Sequence, residues 1–334
     1  MSELRKDPIT DRWVIVASER GVRPSDFETV TTVQPGGYCP FCPGNEDATP
    51  GEILSWRRQG SGRDAPGWSV RVVPNRYPAL HVEDPLDREA EGIYDRMTGT
   101  GAHEVIIETP DHAESLADLA LRDLEQVLCA WRERIVDLRR DLRLQHILVF
   151  KNHGAAAGAT LEHEHSQLIA LPFVPRETAV ELEGAARWFA LRERCVFCDA
   201  IRQERRDGRR MIFENDRFVA FAPFASRAPF LIWLLPKAHR SHFEATRREE
   251  LGSLAEALRL VLRKLDKALE KPAFNLVVQT APLRHEPSPS YHWRIEIAPT
   301  LTRTGGFEWG SGCAINPTPP EEAAAFLRKL EIEP

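Results

Sequence analysis

Two histidines one residue apart, His163 and His165, close a run of small residues and are followed at the same spacing by Gln167. The run from Gly154 to Thr160 holds only glycine, alanine and threonine. Small residues let backbone amides close on a phosphate. In an extended segment alternate side chains share a face, so His163, His165 and Gln167 point the same way. One imidazole can then attack phosphorus while its neighbour serves another purpose. A bare His-x-His is also what two core or surface histidines would give. Asn152 and the small-residue run before it, with Gln167 after it, turn the reading to phosphate chemistry. His153, inside the loop, is a further candidate for touching a phosphate.

Four of the six cysteines form two Cys-x-x-Cys pairs, Cys39/Cys42 and Cys195/Cys198, while Cys129 and Cys313 stand alone. A redox pair would call for a thioredoxin-like βαβ context, which the pattern does not provide. Zinc prefers four tetrahedral ligands drawn from thiolate and imidazole. Cys39 and Cys42 with His112 and His163 make one such set. Cys195 and Cys198 with His239 and His292 make a second, with His242 a rival to His239. Neither set leaves an open position, so the expected role is to hold strands together. The isolated His81, His103, His146 and His285 are read as ordinary surface or core residues.

The elements that must position these residues come in two matching series. Each Cys pair is followed by an apolar strand-like run ending in proline and histidine: Val105 to His112, then Phe230 to His239. A long amphipathic helix comes next, with Leu121, Leu124, Leu128, Trp131, Ile135 and Leu138 in one stripe. Its counterpart carries Leu251, Leu254, Leu258, Val261, Leu265 and Leu269. A β-type run follows each (His146 to Phe150, Phe274 to Val278), then a histidine-bearing strand ending in proline. Two offsets agree: 239 − 112 = 127 and 292 − 165 = 127. The Cys pairs are further apart (195 − 39 = 156), so the first half carries extra residues around Asn75-Arg76-Tyr77-Pro78 and Asp84-Pro85. The expectation is a duplicated α+β fold, residues 1–175 and 190–334, with antiparallel strands and a linker near Pro175 to Glu193.

Composition bounds the alternatives. The 334 residues are 42% hydrophobic and 28% charged, with net charge −6, as in a globular protein. Charges of both signs are interspersed, so neither nucleic acid nor an anionic membrane is an expected partner. The charged start, Met1 to Asp7, and the absence of an apolar run of membrane-spanning length make a cytoplasmic location the expectation.

The chain resembles the galactose-1-phosphate uridylyltransferase family, the duplicated branch of the histidine-triad superfamily. The resemblance rests on Asp7-Pro8-Ile9-Thr10, Arg12-Trp13-Val14-Ile15, Arg20 with Arg23-Pro24, and Cys39-Pro40-Phe41-Cys42 with Gly44-Asn45-Glu46. It continues through Pro110-Asp111-His112 and Asn152 to Gln167, and ends with Gly305-Gly306-Phe307-Glu308, Gly310 and Gly312. It implies duplicated histidine-triad-like half-domains and a ping-pong nucleotidyl transfer. His165 would attack the α-phosphorus of a nucleotide sugar such as UDP-glucose. A sugar 1-phosphate would leave, and a second would take the nucleotidyl group. Gln167 would hydrogen-bond the transferring phosphoryl group, and His163 would ligate zinc with Cys39, Cys42 and His112. Backbone amides of Gly158, Ala159, Thr160 and Leu161 would stabilise the charge without a catalytic metal. A homodimer is implied too, in which the loop of Phe307, Glu308 and Gly312 folds over the substrate, in this chain or its partner.

Three departures bear on the substrate. Glu164 stands where the family commonly has proline, and Ser166 where the best-known uridylyltransferases have glycine. Tyr291-His292-Trp293-Arg294 and the Gly305-to-Gly312 stretch look more like the ADP-glucose phosphorylase branch, which takes phosphate as acceptor. The base is therefore uridine or adenine. Arg20 and Arg23 are candidates for clamping phosphate, and Asn75 for reading a ribose or base or for shaping a turn. Outside nucleotidyl transfer, a zinc-stapled binding module lacks the basic, aromatic-interleaved patch it would use on nucleic acid. A hydrolase would want a general acid where Gln167 stands.

Overall fold

Short apolar runs with period two form strands here, and the strands of both halves join edge to edge. The computed structural model describes residues 2–18 and 37–332; Arg20 and Arg23 lie outside the described residues. An N-terminal hairpin, β1 (Glu3–Lys6) and β2 (Trp13–Val16), precedes β3 (Leu54–Arg57) and β4 (Trp68–Pro74). The extra residues of the first half include an exposed hairpin, β5 (Arg88–Glu91) and β6 (Tyr94–Met97). Then come β7 (Ala102–Ile107), α1 (Leu121–Leu138), β8 (His146–His153) and β9 (His165–Leu171). The segment expected as a linker is instead a helix, α2 (Arg176–Arg192).

The second half runs α3 (Val196–Asp207), β10 (Met211–Glu214), β11 (Phe218–Phe221), β12 (Ile232–Pro236), α4 (Arg248–Leu269), β13 (Phe274–Gln279) and β14 (Arg294–Pro299). It closes with α5 (Gly306–Ser311), β15 (Ala314–Asn316) and α6 (Pro320–Lys329). β15 returns to pair with β2 in a separate three-stranded sheet.

Ten strands make one antiparallel sheet in the order β10-β11-β12-β14-β13-β8-β9-β7-β4-β3. β8 and β13 meet at its centre, where Phe150 pairs with Val277. These two are 277 − 150 = 127 residues apart, the offset that also separates the first residues of α1 and α4 (248 − 121 = 127). An approximate two-fold axis therefore passes through this pair.

Further along, the offset changes. Gln167 lies opposite Phe150 in the first half, and Glu296 opposite Val277 in the second, so the spacing there is 296 − 167 = 129. On that count His292 answers to His163, and Arg294 answers to His165. The numerical match of His165 with His292 was a coincidence produced by two extra residues before β14.

α1 and α4 pack side by side across one face of the sheet. Leu124, Leu128, Trp131, Ile135, Leu254, Leu258 and Leu265 are fully buried there, each contributing about 1.5–3 kcal/mol through burial. Leu121, placed in the stripe by its spacing, starts the helix and stays 38% exposed. On the opposite face, α2 and α3 cover the second half, where Ala185, Val196 and Phe197 meet Val219, Trp233 and Leu235. The first half's corresponding face carries the candidate site. Among the described residues no helix is long and apolar enough to cross a membrane.

Candidate active site and metal clusters

β9 sets the geometry. Its register with β7 places Ile107 opposite His165 and Val105 opposite Gln167, so both polar residues stand on the face away from α1. His163 falls just before the strand, in a bend, and its ring turns toward the cysteines. His165 is 7% exposed, with the Phe41 ring edge-on at 5.3 Å. Its Nδ1 lies 2.8 Å from the His163 carbonyl oxygen. A carbonyl only accepts, so the proton sits on Nδ1 and the Nε2 lone pair is free. Burial, then the charge of Lys151, push this imidazole down to about 4, so it is neutral near pH 7.

The small-residue loop joins β8 to β9, the strand that His165 begins. Gly154 (φ 80°) and Gly158 (φ 91°) both adopt left-handed backbone, which favours glycine. A Cβ on Gly154 would also lie 2.8 Å from the Ala273 Cβ. Asn152 accepts a 2.9 Å hydrogen bond on Oδ1 from Asn275 Nδ2, which also reaches the Ala157 carbonyl. The second half thus holds the loop of the first, and the Asn152 amide hydrogens are turned toward Gly158. His153 does not face the loop interior: it stacks on Phe274 and pairs with Glu164 at 2.6 Å.

Behind the nucleophile candidate lies a buried charge cluster that the sequence reading missed. Lys151 Nζ donates to Glu108 at 2.6 Å and to the His165 carbonyl at 3.1 Å, and it pairs with Glu164. Burial would raise the Glu164 carboxyl, but Lys151 and His153 outweigh it and bring it to about 2. Glu164, in the family's proline position, therefore answers Lys151 and His153 rather than standing as a lone charge. Ser166, in the glycine position, faces the helices, where its hydroxyl accepts from Trp131 Nε1 at 2.7 Å. His103, read as an ordinary surface or core residue, meets Gln167 and Asn75. His103 Nε2 is 2.9 Å from Gln167 Oε1 and 3.1 Å from Asn75 Nδ2. Asn75 itself shapes a turn, its Oδ1 accepting from Tyr77 N at 2.9 Å.

Both four-residue sets come together. Ligand atoms of Cys39, Cys42, His112 and His163 lie within 4.8 Å of one another, as do those of Cys195, Cys198, His239 and His292. Cys42 Sγ is 3.4 Å from His112 Nδ1 and 3.6 Å from His163 Nδ1; Cys198 Sγ is 3.4 Å from His239 Nδ1 and 3.5 Å from His292 Nδ1. Bond lengths of about 2.3 Å to sulfur and 2.0–2.1 Å to nitrogen give a tetrahedral S···N edge of roughly 3.5–3.6 Å. The donor sets therefore fit a tetrahedral ion. His163 gives Nε2–H to the Thr109 carbonyl at 2.7 Å, and His239 and His292 give theirs to Ser288 and Pro236, each at 2.9 Å. Such outer bonds fix the tautomer that leaves Nδ1 to the metal. His242 is turned away, toward Ser241 and Pro282.

The second half has no equivalent of the first half's nucleophile candidate. Arg294, in the place of His165, is 1% exposed and bonded at 2.6 Å to both Glu181 of α2 and Glu296. A cavity of about 1000 Å³ beside α3 is lined by Arg202, Arg209 and Arg210, but their charges are taken by Asp199, Asp207 and Glu204. Its lining includes no residue of the small-residue loop from Gly154 to Thr160. Phe307, Glu308 and Gly312 sit on or beside exposed α5, whose side-chain hydrogen bonds are local, as from Ser311 Oγ to the Phe307 carbonyl at 2.6 Å. None of the three is hydrogen-bonded to His165 of the same chain.

Comparison with known proteins identifies the family. Residues 1–175 match the family described as galactose-1-phosphate uridyl transferase, N-terminal domain, and residues 205–295 match the HIT domain. The chain is 37% identical to an ADP-glucose phosphorylase of Arabidopsis thaliana, over 99% of this chain and 93% of that protein. It is 30% identical to a galactose-1-phosphate uridylyltransferase of Thermotoga maritima over the full length of both. The crystal structure of an Arabidopsis ADP-glucose phosphorylase with bound ADP-glucose superposes with a TM-score of 0.84, covering 99% of this chain and 100% of that one at 34% identity. With two fused halves, one ten-stranded sheet and a single His-x-His-x-Gln strand, this chain is a nucleotidyltransferase belonging to the galactose-1-phosphate uridylyltransferase family.

Proposed function

We propose that the chain moves a nucleotidyl group from a nucleoside diphosphate hexose to a phosphate-bearing acceptor through a covalent nucleotidyl-His165. The observation that carries this is the bond from His165 Nδ1–H to the His163 carbonyl, which leaves Nε2 unprotonated on the strand face that also carries Gln167. Nε2 attacks the α-phosphorus, and the bond to the bridging oxygen breaks. That oxygen takes the electron pair and departs as part of hexose 1-phosphate. In the second step an oxygen of the acceptor attacks the same phosphorus and the P–N bond breaks, restoring neutral imidazole. Gln167 donates to a non-bridging oxygen, and amides of Gly158 to Leu161 share the charge. The leaving group is already a phosphate and needs no general acid.

The family-level reaction takes UMP from UDP-glucose to a hexose 1-phosphate. A second reading, ADP-glucose with phosphate as acceptor, is favoured by the 37% identity to the Arabidopsis phosphorylase and by the ADP-glucose bound in its structural counterpart. Zinc is the proposed metal in both clusters, holding strands in place. A second copy of the chain is the proposed partner, bringing α5 to the neighbouring site.

Mixing the enzyme with UDP-glucose or ADP-glucose, without acceptor, and measuring intact mass tests this. The expected result is a gain of one UMP or one AMP, lost on adding hexose 1-phosphate or phosphate. The mass gained decides the base. An adduct discharged by water as fast as by any phosphate acceptor would refute the transferase reading.

A further inference from the structure

Gln167 is useful to a phosphoryl group only if its NH₂ end faces the site, and an amide held by nothing flips. His103 supplies the hold. The backbone N–H of Ala79 points at His103 Nδ1 at 3.1 Å. A backbone amide only donates, so Nδ1 carries the lone pair and the ring proton sits on Nε2. That Nε2–H lies 2.9 Å from Gln167 Oε1, donor against acceptor. With Oε1 taken, both hydrogens of Gln167 Nε2 point away from His103. The neighbouring Asn75 Nδ2, 3.1 Å from the same ring nitrogen, is a donor and cannot replace Gln167 as its acceptor.

Strand register explains the meeting. His103 lies opposite Ile169 and Val105 opposite Gln167, so His103 and Gln167 are diagonal neighbours on one face. Asn75 N in turn donates to the His103 carbonyl at 2.8 Å. The ring therefore links the 75–79 turn to the strand carrying His165.

We propose that His103 is a positioning residue, fixing the Gln167 amide so that its N–H groups face the transferring phosphoryl group. This rests on the role proposed above for Gln167. An interaction felt in the transition state lowers kcat when lost and leaves KM nearly unchanged.

Two substitutions separate this role from simple support of the turn. In His103→Asn, the shorter side chain places Oδ1 near the former Nδ1, keeping the acceptor for Ala79 but removing the donor to Gln167. In His103→Gln, Nε2 reaches the former ring Nε2 and keeps that donor. With UDP-glucose and ADP-glucose as probes, His103→Asn is expected to lower kcat about ten- to hundredfold at near-constant KM and Tm. His103→Gln should stay within a few-fold of the parent, and His103→Asn should add nothing in a Gln167→Ala background. Equal losses in Asn and Gln variants, or an additive double variant, would overturn the proposal, as would an unaltered kcat in His103→Asn. If Gln167→Ala alone leaves kcat intact, the underlying role of Gln167 fails instead.

Discussion

His292 stands in the second half where His163 stands in the first. Each ring gives Nε2–H to the carbonyl at the same place, Thr109 in one half and Pro236 in the other (236 − 109 = 127). Two residues on from each, the halves part company: His165 in the first, buried Arg294 in the second. The duplication kept two Cys₂His₂ clusters and one nucleophile candidate.

A chain with one nucleophile forms one adduct. Saturating nucleotide sugar should add a single nucleotidyl group per chain, and His165→Gly should add none and lose at least about a thousandfold in turnover. Intact mass after quenching reads both. Two groups per chain, or an adduct on the variant, would sink the assignment.

The clusters predict two metal equivalents per chain. Cys39→Ser and Cys195→Ser should each remove one equivalent and lower stability by several kcal/mol, since ion binding at such a site is folding free energy. Elemental analysis alongside thermal melting measures this. Unchanged melting of a metal-free preparation would contradict a structural role.

What was legible in the sequence follows from how far a pattern reaches. The stripes of α1 and α4 and the β8 and β13 runs are local periodicities, and they appear where their spacing put them. The two Cys₂His₂ groupings were legible because two Cys-x-x-Cys pairs have few uses. α2 was read as a linker because it buries little, Thr178, Gly184 and Ala185, and so carries no strong apolar stripe. The equivalence of His163 with His292 was hidden by two extra residues in a loop, which one numerical offset cannot show. Lys151 and Glu108 are 43 positions apart in sequence, and a lysine in a strand reads as solvated until its register is known. His103 was set aside for the same reason: its partner lies on the neighbouring strand.

Lys151 predicts an asymmetry. It is 1% exposed between Glu108 and Glu164. Lys151→Met leaves two buried carboxylates facing each other and should cost about 3–5 kcal/mol. Glu164→Gln leaves Lys151 paired with Glu108 and should cost about 1 kcal/mol. Denaturant unfolding of both variants gives the comparison, and equal losses would mean that the lysine is not the hub.

Asp266 of α4 predicts a dependence on pH. Burial, helped by Asp118 and opposed by His153 and Lys271, raises its carboxyl from 3.8 to about 6. The folded state then holds this proton more tightly than the unfolded chain. Its contribution is fully present below pH 4, and it is lost as pH rises through 6 and the half-buried carboxyl ionises. Asp266→Asn removes that ionisation while keeping the shape. The variant should be more stable than the parent at pH 8 by on the order of 2 kcal/mol. At pH 5 the parent's carboxyl is largely protonated when folded, so the advantage should shrink by about 1 kcal/mol. Melting temperatures of both proteins at the two pH values test the sign as well as the size. An advantage that is equal at pH 5 and pH 8, or larger at pH 5, would show that Asp266 does not titrate in this range in the folded protein.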